Sequence, residues 1–512
     1  MSEDKRFFAG ELADALAARD LQVFWHPCSQ MRDYQDFPPI EVVGAAGCRL
    51  ALSDGRSILD AISSWWCKSL GHGHPRLKAA LVEQLDRFEH VIVANTTNVG
   101  LVRLCERLLA VGNGAPAAAF GAHAPVGRRA GHFGKVFLAD NGSTAVEIAM
   151  KMAIQAQAQR GRARRTRFAS LQNGYHGETL ATLSVGDCGQ YAAPYAPLLF
   201  PVSKLGGLPY RSGPDDPRWL DAAAEWPAIE ATLTPLADEL AAIVYEPVLQ
   251  AAGQMMLYSP DLLRRLRAWS RTHEVFLIAD EIAAGMGRCG AMLASHLTPP
   301  DPVGDGAPSL LPDLLPDVLP DVLPDVLPDV LPDVLPDVLP DLAVLSKGLT
   351  GGFLPLSAVL TTDAIAALFD ADYHEGRAFL HSNTYTGNAL GVAVANAALD
   401  VYAGDGILDR VAAHGPRLRR ALTTIAARRP YLRGVRGCGM MAAVDIRDAA
   451  GQPLDARRRT GYRVYREAVR RGALLRPLGD TLYLFPPLTT TPEEIDEMAA
   501  IMEQSLDAVM GG

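Results

Sequence analysis

The 512-residue chain lacks several features that would assign it to a particular class of protein. It has no basic excess, since 48 Lys and Arg face 58 Asp and Glu, so a nucleic-acid-binding surface is not supported. No stretch reaches the roughly 18 uncharged apolar residues that span a bilayer. The first twenty residues lack the apolar core and cleavage site of a secretory signal. We therefore expect a cytoplasmic protein that binds neither nucleic acid nor membrane.

Cysteine is also scarce. The seven cysteines form no CxxC pair, and their number is odd. In a chain of this length, that pattern indicates free thiols in a reducing compartment, and no spacing typical of a metal site occurs. Apolar residues make up 49% and charged residues 21%, a composition typical of a globular protein of two or three domains.

One short repeat dominates the second half of the chain. Residues 311–342 are eight tetrapeptides, which read LPDL, six times LPDV, and LPDL. They contain eight Asp without Lys or Arg, so the rest of the chain carries a net charge of only −2. A proline at every fourth residue excludes an α-helix and a central strand. We expect a tolerated insertion in a surface loop at 301–342, and a binding role is the alternative.

Strands and helices alternate through the middle of the chain. Strands are predicted from short apolar runs, which lie at 135–140, 167–172, 240–248, 275–282 and 342–348. This order predicts an α/β fold with a mostly parallel central sheet covered by helices on both faces. The large domain is predicted at 70–400, and residues 1–69 and 401–512 are predicted to form a smaller α+β domain.

Two charged residues occur at the ends of predicted strands. Lys347 follows the run LAVLS and precedes a glycine-rich stretch, and Asp280 ends the run LIAD. Ligands of open α/β sheets bind at the carboxyl ends of the strands. A Lys held there can form a Schiff base, and an Asp can pair with the protonated nitrogen of a pyridine ring. A surface Lys and a helix-capping Asp are the alternatives.

Two loops could contact such a ligand. In ADNGSTAVEIAMK, Gly142 forms a turn and Ser143 begins a helix, whose N-terminal N–H groups can bind a phosphate. A capping box from Ser143 or Thr144 fits the same residues. In NGYHGET, Tyr175 could stack on a flat ring, and a turn between glycines is the alternative.

Three further residues could form a substrate pocket. The adjacent Trp65 and Trp66 point in different directions on any element, so one could line a ligand wall, although a core role is the alternative. Arg476 could bind a carboxylate, and a surface ion pair is the alternative.

Taken together, these motifs resemble the class III aminotransferases of the pyridoxal-phosphate (PLP) fold type I group. The resemblance extends over roughly residues 20–505 and rests on LIADEI…GMGRCG, LSKGLTGG, NGYHGET and ADNGSTAVEIAMK. The segments VFWHPCSQM, SSWWCKSLGHGHP, HSNTYTGN and LLRPLGDTLYLFPP are similar to one branch of that family. Enzymes of that branch transfer an amino group from S-adenosylmethionine to 8-amino-7-oxononanoate in biotin synthesis, and the resemblance implies this activity here.

The resemblance also implies roles for individual residues. Lys347 would bind PLP covalently and move a proton, and Asp280 would pair with the pyridine nitrogen. The remaining cofactor-binding residues would be Gly142, Ser143, Tyr175, Asn383 and Thr384. Thr384 and its neighbour would reach the phosphate bound by the other subunit, so the active site would require a homodimer.

The implied substrate-binding residues are Trp65, Tyr175, Lys347, Ser382, Arg476 and Cys28. Arg476 would bind the substrate carboxylate. Cys28 stands where some members of the family carry Tyr, so the contact of that Tyr is in question here. Two other functions remain open: a class III ω-aminotransferase with another donor, such as lysine, or another acceptor, and a catalytically silent scaffold that binds through the LPDV repeat.

Overall fold

A computed structural model describes residues 16–124, 127, 131–299 and 338–511. These residues divide into two compact units. The terminal unit contains the described residues of 1–74, 417–435 and 442–512, and the central unit contains those of 75–416 and 436–441. The domain boundaries at 69/70 and 400/401 stay a prediction.

The strands and helices are numbered in chain order. The strands are β1 (Val42–Ala46), β2 (Arg49–Leu52), β3 (Ser57–Asp60), β4 (Phe133–Ala139), β5 (Arg167–Leu171), β6 (Ser203–Leu205), β7 (Tyr210–Arg211), β8 (Leu240–Tyr245), β9 (Leu249–Gln250), β10 (Met256–Tyr258), β11 (Phe276–Asp280), β12 (Leu342–Leu345), β13 (Ser357–Thr362), β14 (Leu432–Cys438), β15 (Met441–Ile446), β16 (Ala473–Leu474) and β17 (Thr481–Leu484). The helices are α1 (Pro75–Leu85), α2 (Val99–Gly112), α3 (Gly142–Gln159), α4 (Leu180–Val185), α5 (Gly189–Ala192), α6 (Trp226–Leu233), α7 (Asp261–His273), α8 (Asp363–Ala366), α9 (Ala389–Gly404), α10 (Ile407–Ala427), α11 (Thr460–Arg471) and α12 (Pro492–Met510). Residues 16–23 are also helical.

The central unit is built on a seven-stranded sheet of order β4-β13-β12-β11-β8-β5-β6. Strand β13 runs antiparallel to both of its neighbours, and the other neighbouring strands run parallel. Every residue of β8, β11 and β12 is buried, as near-continuous apolar runs in parallel strands predict. The predicted α/β fold with a mostly parallel sheet is confirmed.

Helices cover both faces of this sheet. Helix α3 packs into one core cluster with Val359 of β13. The end of α2 lies against the next residue of that strand, since a Cβ on Gly112 would meet the side chain of Leu360. Consecutive strand residues point to opposite faces, so the two helices lie on opposite sides of the sheet.

The tetrapeptide repeat ends inside the central unit. Residues 311–337 lie outside the described residues, but Leu339 of the last copy is fully buried and β12 begins at the last residue of that copy. The carboxylate of Asp341 accepts a hydrogen bond from the second backbone N–H of β11 (2.8 Å) and pairs with Arg267 (3.0 Å). The expectation of a surface loop is therefore wrong for the last copy, because these contacts anchor the start of β12.

The terminal unit has a different construction. Strands β1, β2 and β3 form an antiparallel meander, and β16 adds to β3 in parallel. Helices α11 and α12 pack on each other. Residues 432–435 of β14, residues 442–446 of β15 and strand β17 belong to a further three-stranded sheet. Chain segments from both ends of the sequence thus build a smaller α+β unit, as predicted.

Two sequence-based expectations can be compared with the described residues. All seven cysteines lie in this part of the chain and are free, which confirms the predicted free thiols. None of the helices described is both long and apolar enough to cross a bilayer.

Candidate active site

Asp280 lies at the carboxyl end of β11, in the middle of the central sheet. Its side chain is almost completely buried, at 3% exposure. One carboxylate oxygen accepts a hydrogen bond from Nδ1 of His176 (2.9 Å), and the other accepts one from the backbone N–H of Ile282 (3.1 Å). Each oxygen thus has one partner among the described residues and can accept a further hydrogen bond from a ligand.

His176 fixes the orientation of this carboxylate. The imidazole is fully buried, and its Nε2 has no hydrogen-bond partner among the residues that the structure describes. A buried ring nitrogen without a partner is costly unless a ligand satisfies it. Sequence reasoning missed this residue, although it follows Tyr175 directly in the NGYHGET motif.

The start of helix α3 has an open N-terminus. Asn141 is the N-cap, and its side chain accepts a hydrogen bond from the backbone N–H of Thr144 (3.0 Å). The alternative of a cap from Ser143 or Thr144 is therefore wrong. The Ser143 hydroxyl forms no hydrogen bond within the described part of the chain, so it and the first N–H groups of the helix can bind an anion.

Three sequence motifs converge at this helix start. A Cβ on Gly142 would lie 2.7 Å from Cδ1 of Ile282, two residues beyond Asp280. A Cβ on Gly177 would collide with the side chain of Ser143, and its φ of +126° also favours glycine. These two close approaches require glycine at 142 and 177. They bring the start of α3, the end of β11 and the NGYHGET loop together.

A second buried carboxylate holds the NGYHGET loop. Glu246 follows β8, and its oxygens accept hydrogen bonds from the backbone N–H groups of Tyr175 (2.9 Å) and Ala251 (3.0 Å). Burial, followed by the charge of Asp280, raises the pKa of Glu246 to about 8, although the two backbone hydrogen bonds and the charge of Lys347 act in the opposite direction. Sequence reasoning missed Glu246, although an acidic residue after a buried strand is the same signal that identified Asp280.

Lys347 follows β12 in a strained backbone conformation. Its φ is +38°, a region that side-chain-bearing residues adopt only when their surroundings impose it. The next residue, Gly348, accepts a hydrogen bond from the hydroxyl of Tyr402 (2.9 Å), and a Cβ there would lie 2.8 Å from Cβ of Met286. These contacts hold the half-buried Lys347 in place at the carboxyl edge of the sheet.

The predicted residues Ser382–Thr384 lie elsewhere in the central unit. Ser382 and Thr384 are exposed, and the neighbouring His381 contacts Nζ of Lys151 through Nδ1 (2.9 Å). Lys151 lies eight residues beyond Ser143 on α3, which is about 12 Å along the helix axis. The structure therefore does not bring this segment to the helix start of its own chain.

The terminal unit brings three other predicted residues together. The guanidinium of Arg476 lies 4.5 Å from the ring centre of Trp65, and its Nη2 donates to the backbone carbonyl of Cys28 (2.8 Å). Arg476 forms no ion pair with a described residue, so the alternative of a surface ion pair is wrong. Any residue at position 28 offers the same carbonyl, so Cys in place of Tyr keeps this contact.

The structure confirms a core role for Trp66, and the ligand-wall role of Trp65 stays a prediction. Trp66 is a core residue with 6% exposure and donates from Nε1 to the hydroxyl of Tyr483 (3.2 Å), whereas Trp65 is 39% exposed. Both Trp residues belong to the turn Ser63–Trp66, whose four residues have φ values of 50°, 43°, 75° and 71°. Left-handed backbone costs about 1–2 kcal/mol per non-glycine residue, so other contacts must hold this turn.

Comparisons with known proteins agree with this geometry. Residues 30–303 and 333–506 match the family model described as Aminotransferase class-III. The adenosylmethionine-8-amino-7-oxononanoate aminotransferase of Geobacter sulfurreducens is 34% identical over 503 residues, which cover 96% of this chain and 97% of that protein. The same enzyme of Helicobacter pylori is 33% identical over 502 residues, which cover 97% and 99%.

Solved structures of similar proteins have the same fold. That of the adenosylmethionine-8-amino-7-oxononanoate aminotransferase of Methanocaldococcus jannaschii has a TM-score of 0.80 at 26% identity and covers 97% of this chain and 99% of its own. A PLP-bound amine transaminase from an uncultivated Pseudomonas species has a TM-score of 0.78 at 29% identity, with coverage of 95% and 99%.

Proposed function

The chain belongs to the class III aminotransferase family, and from that premise we propose that it is a PLP-dependent enzyme of biotin synthesis. It transfers an amino group from S-adenosylmethionine to 8-amino-7-oxononanoate and forms 7,8-diaminononanoate. The observation that carries this proposal is the convergence of Asp280, the glycine-lined start of α3 and the NGYHGET loop at one edge of the sheet. Relatives that match along nearly the whole chain carry the name of this activity.

The residues at this edge fit PLP. Asp280 would pair with the pyridine nitrogen, Tyr175 would stack on the ring, and Gly142 and Ser143 would bind the phosphate. Lys347 would bind the aldehyde group. When bound, PLP supplies an electron sink for the negative charge that develops on the substrate carbon when a proton leaves it.

Side chains of the protein would transfer the proton, keep the pyridine nitrogen protonated and position the ring of Tyr175. The amine of Lys347 would take up the proton that leaves the substrate carbon and hold it as an ammonium group for the return transfer, so Lys347 would be the general base and the general acid of both half-reactions. The carboxylate of Asp280, oriented by His176, keeps a proton on the pyridine nitrogen. Glu246 holds the backbone of Tyr175, so the aromatic ring stays in one position.

We assign recognition of the substrate carboxylate to the terminal-unit cluster of Arg476, Trp65 and Cys28. Arg476 forms no ion pair with a described residue, and a guanidinium binds a carboxylate through two parallel hydrogen bonds. Trp65 offers an exposed ring beside it, and Cys28 contributes its backbone carbonyl. This arrangement suits a substrate with an apolar chain and a terminal carboxylate, as 8-amino-7-oxononanoate has.

The enzyme acts as a cytoplasmic homodimer in this proposal. Ser382 and Thr384 are exposed and lie beside the middle of α3, away from the helix start of their own chain. Asn383 has a buried side-chain oxygen without a described partner. Both observations support a segment that serves the phosphate site of the other subunit.

The direct test is turnover by the purified, PLP-loaded enzyme. We expect 7,8-diaminononanoate, detected by mass spectrometry, when 8-amino-7-oxononanoate is supplied with S-adenosylmethionine, and complementation of a biotin-requiring strain that lacks this step. Parallel reactions with lysine, and with other amines and keto acceptors, test the ω-aminotransferase alternative. Turnover with lysine alone would reassign the donor, and no product with either donor would contradict the proposal.

A further inference from the structure

The left-handed turn Ser63–Trp66 has one main organiser, the buried carboxylate of Asp60. This residue ends β3 and is completely buried. One oxygen accepts from the backbone N–H groups of Ile62 (3.3 Å) and Ser64 (2.9 Å). The other accepts from the hydroxyl of Ser64 (2.7 Å) and from Nε2 of His72 (2.8 Å). The carboxylate therefore binds the first half of the turn directly.

The first and last residues of the turn are anchored to strand β17 and the segment after it. Ser63 donates from its hydroxyl to the carbonyl of Phe485 (2.7 Å), and Trp66 donates to Tyr483 (3.2 Å). Between these anchors, Trp65 is the member of the turn with the most exposed side chain. Four consecutive left-handed residues without glycine do not persist by local preference, so the anchors decide where the Trp65 ring points.

The same strand end also sets the distance between Trp65 and Arg476. Asp60 is paired with Leu474 in the parallel ladder of β3 and β16. Trp65 follows Asp60 by five residues, and Arg476 follows Leu474 by two. The pairing of β3 with β16 therefore fixes where both segments leave the sheet. The central carbon of the Arg476 guanidinium lies 4.5 Å from the ring centre of Trp65.

Stacking on the indole restricts the guanidinium to one plane while leaving its edge available. The Nη2 group donates to the carbonyl of Cys28, and the other donors of Arg476 make no hydrogen bond within the described residues. A carboxylate binds best to a guanidinium fork that is already fixed in orientation. Loss of the platform would therefore weaken carboxylate binding without removing the Arg.

We propose that Asp60, supported by His72, is a positioning residue for substrate specificity: it holds the left-handed turn that presents Trp65 as the platform for Arg476. This inference rests on the proposed function, because it assigns Arg476 to the substrate carboxylate. Asp60 acts through two other residues and is not itself a contact to the substrate.

The test is a double-mutant cycle with Asp60→Asn and Arg476→Ala. Asparagine keeps the oxygen that accepts from the backbone N–H groups of Ile62 and Ser64. It loses the oxygen that accepts from the hydroxyl of Ser64 and from His72. We expect Asp60→Asn to raise KM for 8-amino-7-oxononanoate about tenfold and to change kcat by less than about twofold, as expected for lost binding hydrogen bonds. In the Arg476→Ala background, Asp60→Asn should leave KM unaltered, because the ring of Trp65 then has no guanidinium to orient.

A second measurement does not depend on turnover. The chain has six Trp, and the difference between each protein and its Trp65→Phe counterpart isolates the fluorescence of Trp65. In Asp60→Asn, acrylamide should quench this emission more strongly than in the wild type, because the ring leaves the guanidinium. If the wild-type protein does not convert 8-amino-7-oxononanoate, the proposed function fails, while the quenching still decides whether Asp60 holds the turn.

Matched variants separate positioning from general loss of stability. Asp445 is a buried aspartate of the same unit that accepts hydrogen bonds from Thr481 (2.7 Å) and Arg447 (3.0 Å). Asp445→Asn should leave KM and the quenching unchanged. Ser64→Ala, which removes one of the four hydrogen bonds, should shift both readouts less than Asp60→Asn does, and it replaces that variant if the latter is insoluble. Equal KM effects in both Arg476 backgrounds, or unchanged quenching, would overturn the inference.

Discussion

Asp60 in the terminal unit and Asp280 in the central unit are alike in several respects. Each is the last residue of a strand, each is buried, and each accepts a hydrogen bond from a histidine, at 2.8 Å from His72 and at 2.9 Å from His176. Each also follows buried apolar residues, Ile58 and Leu59 before Asp60 and the run FLIA before Asp280. Sequence reasoning singled out Asp280 and passed over Asp60.

The two carboxylates differ in how many donors surround them. Asp60 accepts four hydrogen bonds from its own unit, all within a short stretch of chain. Asp280 accepts two from described residues. Since a carboxylate has about four acceptor sites, the first is saturated and the second is half open. Burial therefore does not identify a ligand-binding Asp, whereas unfilled hydrogen-bonding capacity does.

The largest expected effect tests whether the open carboxylate belongs to a PLP site at all. Lys347→Ala should abolish turnover, because the protein then lacks both the covalent attachment and the base. After borohydride reduction, mass spectrometry should find PLP on the Lys347 peptide of the wild type only.

A matched lysine controls this experiment. Lys204 is a half-buried lysine of the same unit, and burial lowers its pKa to about 8. The variant Lys204→Ala should keep the label on Lys347. A label on another lysine would show that the catalytic base has been misassigned.

The next largest effect compares the two aspartates directly. Asp280→Asn should lower kcat by about 10³-fold, the scale of removing one preorganised electrostatic group, with little change in thermal stability. Asp60→Asn should instead lower the thermal stability and leave kcat nearly unchanged. His176→Gln should give a smaller decrease in kcat, about tenfold, because one hydrogen bond to Asp280 is altered. The comparison breaks down if both Asp variants lose kcat equally.

A third aspartate extends the comparison to the repeat. Asp341 of the last copy is paired with Arg267 and with the backbone of β11, as a structural carboxylate should be. Asp341→Ala should lower the free energy of unfolding by about 3 kcal/mol, since it breaks a buried ion pair. Asp337→Ala, the same change one copy earlier, is the comparison in the same denaturant titration, and the sequence-based expectation of a tolerated insertion predicts a much smaller loss there. Equal losses would contradict a special role for the last copy.

A smaller effect concerns acid stability. Burial alone would raise the pKa of Asp60, but the hydrogen bonds from His72 and Ser64 outweigh it and lower the pKa below the usual value of 3.8. The ionised carboxylate thus stabilises the folded protein above about pH 3.8, and this contribution is lost as the pH falls through the lowered pKa. The stability difference between the wild type and Asp60→Asn should shrink below pH 4. A difference that stays constant from pH 7 to pH 3 would argue against a saturated, ionised carboxylate.

The smallest effect should follow from shortening the repeat. Removal of 311–338 keeps the last copy, with Asp341 and its contacts, and deletes seven of the eight tetrapeptides. We expect unchanged kcat and KM in the assay with S-adenosylmethionine. A scaffold function would instead predict lost partner binding with the enzyme activity intact, and a loss of activity would show that the array supports the catalytic unit.

Local sequence patterns were sufficient to predict those strands and site residues whose position depends on neighbouring residues in the sequence. The buried strands β8 and β11 were predicted because a parallel strand covered on both faces needs a continuous apolar run. Asp280 and Lys347 were predicted because they follow such runs, and Gly142 because a glycine between a strand and a helix start predicts a turn. The close approaches that exclude a Cβ at 142 and 177 were found only in the structure. His176 was missed because its role depends on Asp280, 104 residues away in the sequence. Glu246 was missed although it carries the same local signal as Asp280, an acidic residue directly after a buried strand.

The sequence by itself determined the sheet type and the family, and it predicted most of the residues that we propose to hold PLP. Only the tertiary structure decided which aspartate is saturated and which is open. The donors of Asp60 lie at most 12 residues away, but they reach its carboxylate only in a left-handed turn that contacts with Phe485 and Tyr483 also hold. Asp280 accepts from His176, which is 104 residues away in the sequence. The tertiary structure also decided that Trp66 faces the core and Trp65 the surface, since that division depends on four left-handed residues held by Asp60 and by the end of β17. Non-local hydrogen bonds overrode local backbone preference there, and the sequence pattern carries no signal of that outcome.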